Sequence, residues 1–163
     1  MAGLAPPCRR CGPCIEAATE LGVDEIVAWQ AERSVVVWRA DRAAKSLAKW
    51  AAVVARATKQ SRRARMPLVT GPVDTRALSG RVGQAAATFV LHEEATEPLA
   101  GVELPESGDV LVVVGPEGGI SDREITLLSE AGARPVRLGS TILRASSAGP
   151  AALAVLSAKS RWA

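Results

Sequence analysis

The chain has no tyrosine, one phenylalanine (Phe89) and one histidine (His92) among its 163 residues. With four Trp as the other aromatics, the core must be packed mainly from Val, Leu, Ile and Ala, and 163 residues are enough for one domain with a real core. No apolar run approaches the ~20 residues of a membrane-spanning helix. The first residues, Met1 to Cys14, carry arginines but no apolar stretch of a secretion signal. A soluble, cytoplasmic protein with no membrane partner is therefore expected. Cysteine is confined to Cys8, Cys11 and Cys14, in C-x-x-C-x-x-C. A closed zinc or iron–sulfur site takes about four ligands as a rule, and no fourth cysteine is present. The odd number also argues against a disulfide framework. No metal site is expected, and residues 1–13 read as an irregular segment ahead of a domain spanning 14–163.

Charge is nearly balanced, with 20 Lys and Arg against 17 Asp and Glu. A formal +3 by itself does not argue for nucleic acid, so the distribution of charge decides. Asp41 can cap a long helix over Arg42 to Gln60, with Leu47, Trp50, Val54 and Ala57 on its apolar face. At roughly 100° per residue, Lys45, Lys49, Arg56, Lys59 and Arg63 fall on the opposite side. The dense run Lys59-Gln-Ser-Arg-Arg-Ala-Arg65 follows. Two readings stay open for Lys59, Arg62, Arg63 and Arg65: a solvated helix end, where cations are favourable, or an edge that binds RNA phosphates.

Val110 to Val114 is wholly apolar and mostly β-branched, as expected of a parallel strand covered on both faces. Gly115, Gly118 and Gly119 then permit a sharp turn and the close approach of another group. Ser121 and Glu124 have capping-box spacing, and Ile120 and Ile125 have that of a hydrophobic staple. Further strands are expected at Glu25–Trp29, Ser34–Trp38, Ala86–Glu93 and Arg134–Gly139, with a short extended piece at Leu68–Val69. Short helices are expected at Cys14–Leu21 and Val73–Arg81, and a final one at Ala151–Ser160. The alternation implies an α/β fold with a parallel sheet flanked by helices. Ligands of such sheets bind at the carboxyl ends of strands, which singles out the Gly115–Gly119 loop and His92. Gly115-Pro-Glu-Gly-Gly119 is neither G-x-G-x-x-G nor a P-loop. Glu117 would oppose a phosphate there, so a ligand bearing positive charge fits better. S-adenosylmethionine, with its sulfonium and amine, is one.

Several stretches together resemble one family. Gly115-Pro-Glu-Gly-Gly-Ile-Ser-Asp-Arg-Glu-Ile125 resembles the G-P-E-G-G-[FIL]-[ST]-x-x-E-[IL] signature of the SPOUT-class methyltransferases that modify uridine N3 in 16S ribosomal RNA. Leu138-Gly-Ser-Thr-Ile-Leu-Arg-Ala-Ser-Ser-Ala148 is similar to its L-G-x-x-[IV]-L-R-x-x-[ST]-A segment. Ala18–Val23, Gln60-Ser-x-Arg63 and Leu91-His-Glu93 match further pieces in the family's order. The resemblance implies a SPOUT-type α/β fold with a C-terminal trefoil knot. It also implies a methyl-donor pocket from Leu91, His92, Glu93, Gly115, Pro116, Glu117, Gly118, Gly119, Leu138, Gly139, Ile142 and Leu143. A homodimer interface would complete that pocket, consistent with the alanine-rich last helix. The cofactor would be S-adenosyl-L-methionine and the partner 16S rRNA or the small ribosomal subunit. Arg144 and Glu117 are the candidate catalytic residues: Arg144 for a developing uracil anion or a phosphate, Glu117 for orienting the loop, the donor or a base. The family's N-terminal PUA-like barrel is expected to be absent, because the resemblance starts at the catalytic domain. Two alternatives remain open: a ribosome-assembly protein that binds RNA without turnover, and a different α/β enzyme that uses a nucleotide.

Overall fold

A computed structural model describes residues 2–5, 11–35, 37, 38 and 40–163, with side chains for residues 12–35, 37, 38 and 42–163. The strands are β1 (Ala2–Ala5), β2 (Glu25–Trp29), β3 (Leu68–Val73), β4 (Ala87–Leu91), β5 (Val110–Val114) and β6 (Ala133–Val136). The helices are α1 (Cys11–Glu20), α2 (Ala40–Gln60), α3 (Thr75–Gln84), α4 (Asp122–Glu130) and α5 (Ala145–Ala158). Among the described residues, a 3-10 turn lies at Leu99–Gly101. The six strands form one sheet in the order β3-β2-β1-β5-β4-β6, and every pairing is parallel.

Alternation along the strands sorts side chains into two layers, because successive residues point to opposite faces. Val27, Trp29, Val90, Leu111 and Val113 pack with Leu78 and Val82 of α3 and Leu128 of α4. On the other face, Ile26 and Ala28 meet α1 and α2, while Phe89, Val110, Val112 and Val114 meet α5 through Ala148, Ala152 and Leu156. All five residues of β5 are buried, as its continuous apolar run implied. α2 turns Trp50, Val54 and Ala57 inward. Trp38 meets Trp50 edge-on, with ring centroids 5.2 Å apart.

The structure corrects several sequence-based expectations. Ala2–Ala5, expected to be irregular, is a strand in the middle of the sheet, paired with both β2 and β5. It satisfies backbone groups that would otherwise leave two open strand edges, a tertiary demand that Ala-Gly-Leu-Ala does not reveal by propensity. Cys8 lies outside the described residues. The expected strand at Ser34–Trp38 is not formed: its described residues are loop, and Val35 and Val37 are exposed. Asp41 lies inside α2 and does not precede it. α3 starts at Thr75, where Asp74 accepts a hydrogen bond from the Ala77 N–H. The last helix starts six residues early, at Ala145, and carries Pro150 within it. Burial of Ala148 and Ala152 against β5 outweighs the one helical bond that proline removes.

At the amino edge of the sheet, Glu25 accepts hydrogen bonds from Thr70 Oγ1 (2.6 Å) and Arg81 Nη1 (2.8 Å). Burial opposes its ionisation, but these hydrogen bonds and the Arg81 charge prevail and hold its pKa below the ordinary 4.5. A depressed folded-state pKa gives stability that is present above 4.5 and lost as pH falls through the folded value. Denaturant midpoints measured from neutral to acid pH should therefore fall below the ordinary glutamate range, and Glu25→Gln should flatten part of that decline. An identical pH profile in the variant would contradict this linkage.

Candidate functional site

Because all strands are parallel, β4, β5 and β6 deliver their carboxyl ends to one edge of the sheet. The segments that follow them line a single cleft of about 870 Å³. It contains Leu91, His92, Glu93, Gly115, Pro116, Glu117, Gly118, Gly119, Leu138, Gly139, Ile142, Leu143 and Arg144. Every residue expected around the methyl donor is thus at one place. The volume lies in the range of small-molecule sites, roughly 300–1,000 Å³.

The floor of the cleft is built from backbone. Gly119 has φ +76°, a left-handed conformation that side chains rarely adopt. Its N–H closes a turn on the Pro116 carbonyl at 2.9 Å. A Cβ at Gly115 would lie 2.7 Å from Ile120 Cγ1, and one at Gly118 would lie 2.8 Å from the Arg33 carbonyl oxygen. A Cβ at Gly139 would meet nothing within 4 Å, so the backbone there is open. From Leu138 to Leu143 the chain makes no backbone hydrogen bond with a described residue. This stretch leaves bare donors and acceptors beside the glycine loop. His92 is half-buried, and its backbone N–H donates to the Val136 carbonyl at 3.0 Å.

The cleft carries both signs of charge. Glu93, Glu94, Glu117 and Asp122 line it, as do Arg33, Arg137 and Arg144. None of these side chains takes part in an ion pair among the described residues. Arg144 is the N-cap of α5, with its side chain exposed and making no capping bond. Its guanidinium charge and the positive end of the helix therefore favour an anion at the same spot.

Beneath the glycine loop lies a buried carboxylate that sequence spacing had shown only as a helix cap. The capping box of Ser121 and Glu124 is formed as expected. Glu124 is also 1% exposed and joins three segments. Its Oε1 accepts from the Thr75 hydroxyl (2.7 Å) and the Glu32 N–H (3.0 Å), and its Oε2 from the Ser121 N–H (3.1 Å). The Ser121 hydroxyl lies 2.8 Å from Glu32 Oε2 and 3.1 Å from Glu124 Oε2, so its single proton serves one carboxylate at a time. Trp29 Nε1 donates to the Thr75 oxygen at 3.2 Å. Glu32, Arg33, Arg137 and Asp122 were not singled out from the sequence. Their positions just after β2, β6 and β5 were the available signal.

The basic run lies elsewhere. α2 starts near the carboxyl edge and ends at the amino edge, where Leu68 N–H bonds the Asp24 carbonyl. A helix of 21 residues spans roughly 30 Å. Lys59, Arg62 and Arg65 are exposed at that far end. Arg63 differs. Its Nη1 donates to the carbonyls of Thr19 (2.9 Å) and Val23 (2.6 Å), and its side chain is 16% exposed, with Asp24 at 3.6 Å. Its guanidinium is occupied in joining α1, β2 and the end of α2.

Comparison with known proteins agrees with this geometry. Residues 7–157 match the family model described as an RNA methyltransferase domain. The chain is 46% identical over 162 residues to ribosomal RNA small subunit methyltransferase E of Mycobacterium bovis, covering 96% of this chain and 62% of that protein. It is 31% identical to the protein of that name from Bacillus subtilis, over 88% of this chain and 59% of the relative. The chain thus spans less than two thirds of the length of these relatives. Among solved structures, ribosomal RNA small subunit methyltransferase E from Neisseria gonorrhoeae bound to S-adenosyl methionine superposes with a TM-score of 0.85 at 30% identity, over 97% of this chain and 65% of that one. A putative methyltransferase from Legionella pneumophila in complex with the bound cofactor SAM gives 0.88, also at 30% identity, over 97% and 64%.

The hydrogen bonds of Arg63 make a prediction. Bonds to charged groups contribute about 1.5–3 kcal/mol each, so Arg63→Ala should lower unfolding stability by at least about 2 kcal/mol in denaturant titration. Arg62→Ala should leave it within about 0.5 kcal/mol, as for ordinary surface positions. Equal, negligible effects would show that the Arg63 bonds carry no structural weight.

Proposed function

Since the chain belongs to the RNA methyltransferase family of the ribosomal RNA small subunit methyltransferases E, we propose that it transfers a methyl group from S-adenosyl-L-methionine to N3 of a uridine in 16S ribosomal RNA. The observation that carries this reading is the convergence of the three segments Leu91–Glu93, Gly115–Gly119 and Leu138–Arg144 on one cleft at the strand carboxyl ends. The open backbone at Gly139 and the unbonded stretch up to Leu143 suit a ligand recognised through main-chain groups. Glu117 in the glycine loop suits a ligand with positive charge and disfavours a nucleotide phosphate. The reading of a nucleotide enzyme loses ground for that reason, and family membership does not favour a binding protein without turnover.

In this reading the bound donor supplies an electrophilic methyl group. The residues of the chain hold the uracil against it and manage the proton on N3, which must leave before that nitrogen is nucleophilic. Arg144, at the N-terminus of α5, stabilises the negative charge that develops on the uracil ring. Glu117, exposed in the turn closed by Gly119, orients the loop and the donor. The uridine reaches the cleft unpaired or flipped, because N3 is otherwise engaged in pairing. Lys59, Arg62 and Arg65 hold phosphates of the same RNA at the far end of α2, a helix roughly 30 Å long. A second copy of the chain completes the cleft. Ile142, 80% exposed on its rim, is an apolar side chain suited to that contact. The protein then works in the cytoplasm, with the small ribosomal subunit or its RNA as partner.

The test is a methylation assay on small-subunit RNA with wild type and Arg144→Ala. Loss of one preorganised charge-stabilising group costs about 10²–10³ in kcat, while donor affinity by calorimetry should stay within about twofold. Unchanged turnover would remove Arg144 from this role. RNA binding without any transfer by the wild type would favour the assembly protein.

A further inference from the structure

We infer that Arg33 is an oxyanion-binding residue for the RNA substrate, holding a backbone phosphate of the target strand at the mouth of the cleft. The inference rests on reading the cleft as an RNA methyltransferase site, and goes beyond it by assigning a residue from outside its three loops. Arg33 lies in the loop between β2 and α2. That loop is fixed at several points. The Glu32 N–H is held by buried Glu124 (3.0 Å), and the Glu32 carboxylate accepts from Ser121 (2.8 Å). The Ser34 N–H bonds the Ala31 carbonyl (3.1 Å), and the Trp38 N–H bonds Gln30 Oε1 (2.8 Å). The Arg33 backbone presses on the glycine loop so closely that a Cβ on Gly118 would overlap its carbonyl oxygen. Its Nη1 lies 3.8 Å from where a Gly119 Cβ would be. The guanidinium is therefore placed along the glycine loop by a fixed backbone.

Among the described residues it has no carboxylate partner. Glu117, Asp122, Glu93 and Glu94 share the cleft, and none forms an ion pair with it. Glu32, its neighbour, faces Ser121 and Arg123 instead. An exposed guanidinium held in place without a carboxylate is preorganised for a bidentate oxyanion. Two oxyanions could come to this cleft: the carboxylate of the methyl donor and a phosphate of the RNA. Strand order favours the phosphate. The donor segments follow β4, β5 and β6, whereas Arg33 follows β2, which lies beyond β1 on the other side of β5. The residue flanks the donor site on its outer rim. Exposed Val35 and Val37 lie next to it in the chain, and exposed Arg42, Lys45 and Lys49 continue the positive surface along α2. None of those three cations forms an ion pair with a described residue.

The experiment compares wild type, Arg33→Ala and Arg33→Lys, using S-adenosylmethionine in calorimetry and small-subunit RNA in binding and turnover. For Arg33→Ala we expect an unchanged melting temperature, donor affinity within twofold, an RNA KM raised about tenfold, and a log–log salt slope of RNA binding shallower by about one. Arg33→Lys should restore the slope and part of the KM. Loss of donor affinity in step with KM would overturn the assignment in favour of the donor carboxylate. An unchanged RNA KM and salt slope would overturn it outright. RNA binding is read without turnover. A wild type that fails to methylate would therefore refute the methyltransferase reading, while the slope still decides the role of Arg33.

Discussion

The carboxylate of Glu124 is the constraint on which the site depends. It is buried, it sits in the first turn of α4, and it receives bonds from α3, from the loop after β2 and from its own helix cap. A buried charge is tolerated only when its oxygens are satisfied. The three segments are therefore held in one arrangement by the cost of leaving that carboxylate bare. The glycine loop immediately precedes this clamp, between the end of β5 and Ser121. Its turn is thus fixed on one side by a fully buried strand and on the other by a satisfied ionic hydrogen-bond cluster. Rigidity of this kind is what a site needs if positioning is to contribute to the rate.

Much of this was legible in the sequence, and the parts that were not failed for identifiable reasons. The buried run Val110–Val114 and the Ser121–Glu124 spacing gave β5 and the start of α4 directly, because each depends on local chemistry. The donor segments were legible as a set through resemblance, not through any one of them. Ala2–Ala5 was missed because a central strand can be made from residues without β propensity when two neighbouring strands supply its hydrogen bonds. The first turns of α5 were missed because Ser146, Ser147, Gly149 and Pro150 read as a loop, whereas packing of Ala148 on the sheet decides the matter. Glu124 looked like a cap because spacing reports contacts a few residues away. Its bonds to Thr75 and Glu32 span 49 and 92 residues and leave no local trace.

Helical periodicity also misjudged charge. Arg63 was grouped with Lys59 on an outward face, but α2 ends at Gln60, and the chain turns so that Arg63 reaches back to the carbonyls of Thr19 and Val23. The positive surface that remains runs along α2 from the cleft edge to the far edge. The helix starts at the carboxyl edge of the sheet, on the side of the cleft, and its ends lie roughly 30 Å apart.

The family relationship, the parallel sheet and the cleft support one proposal: that three loops at strand carboxyl ends, one of them clamped from below, form a site for a cationic methyl donor. Calorimetric titration with S-adenosylmethionine, done on the wild type and on Gly139→Trp, tests it most directly. Gly139 faces open space in the cleft, so a large side chain there should fill the cleft without unfolding the chain. The wild type should bind one donor per chain, and the variant should melt at the same temperature while losing that binding. A wild type with no saturable binding, or a folded variant that binds the donor as tightly, would contradict the assignment of this cleft.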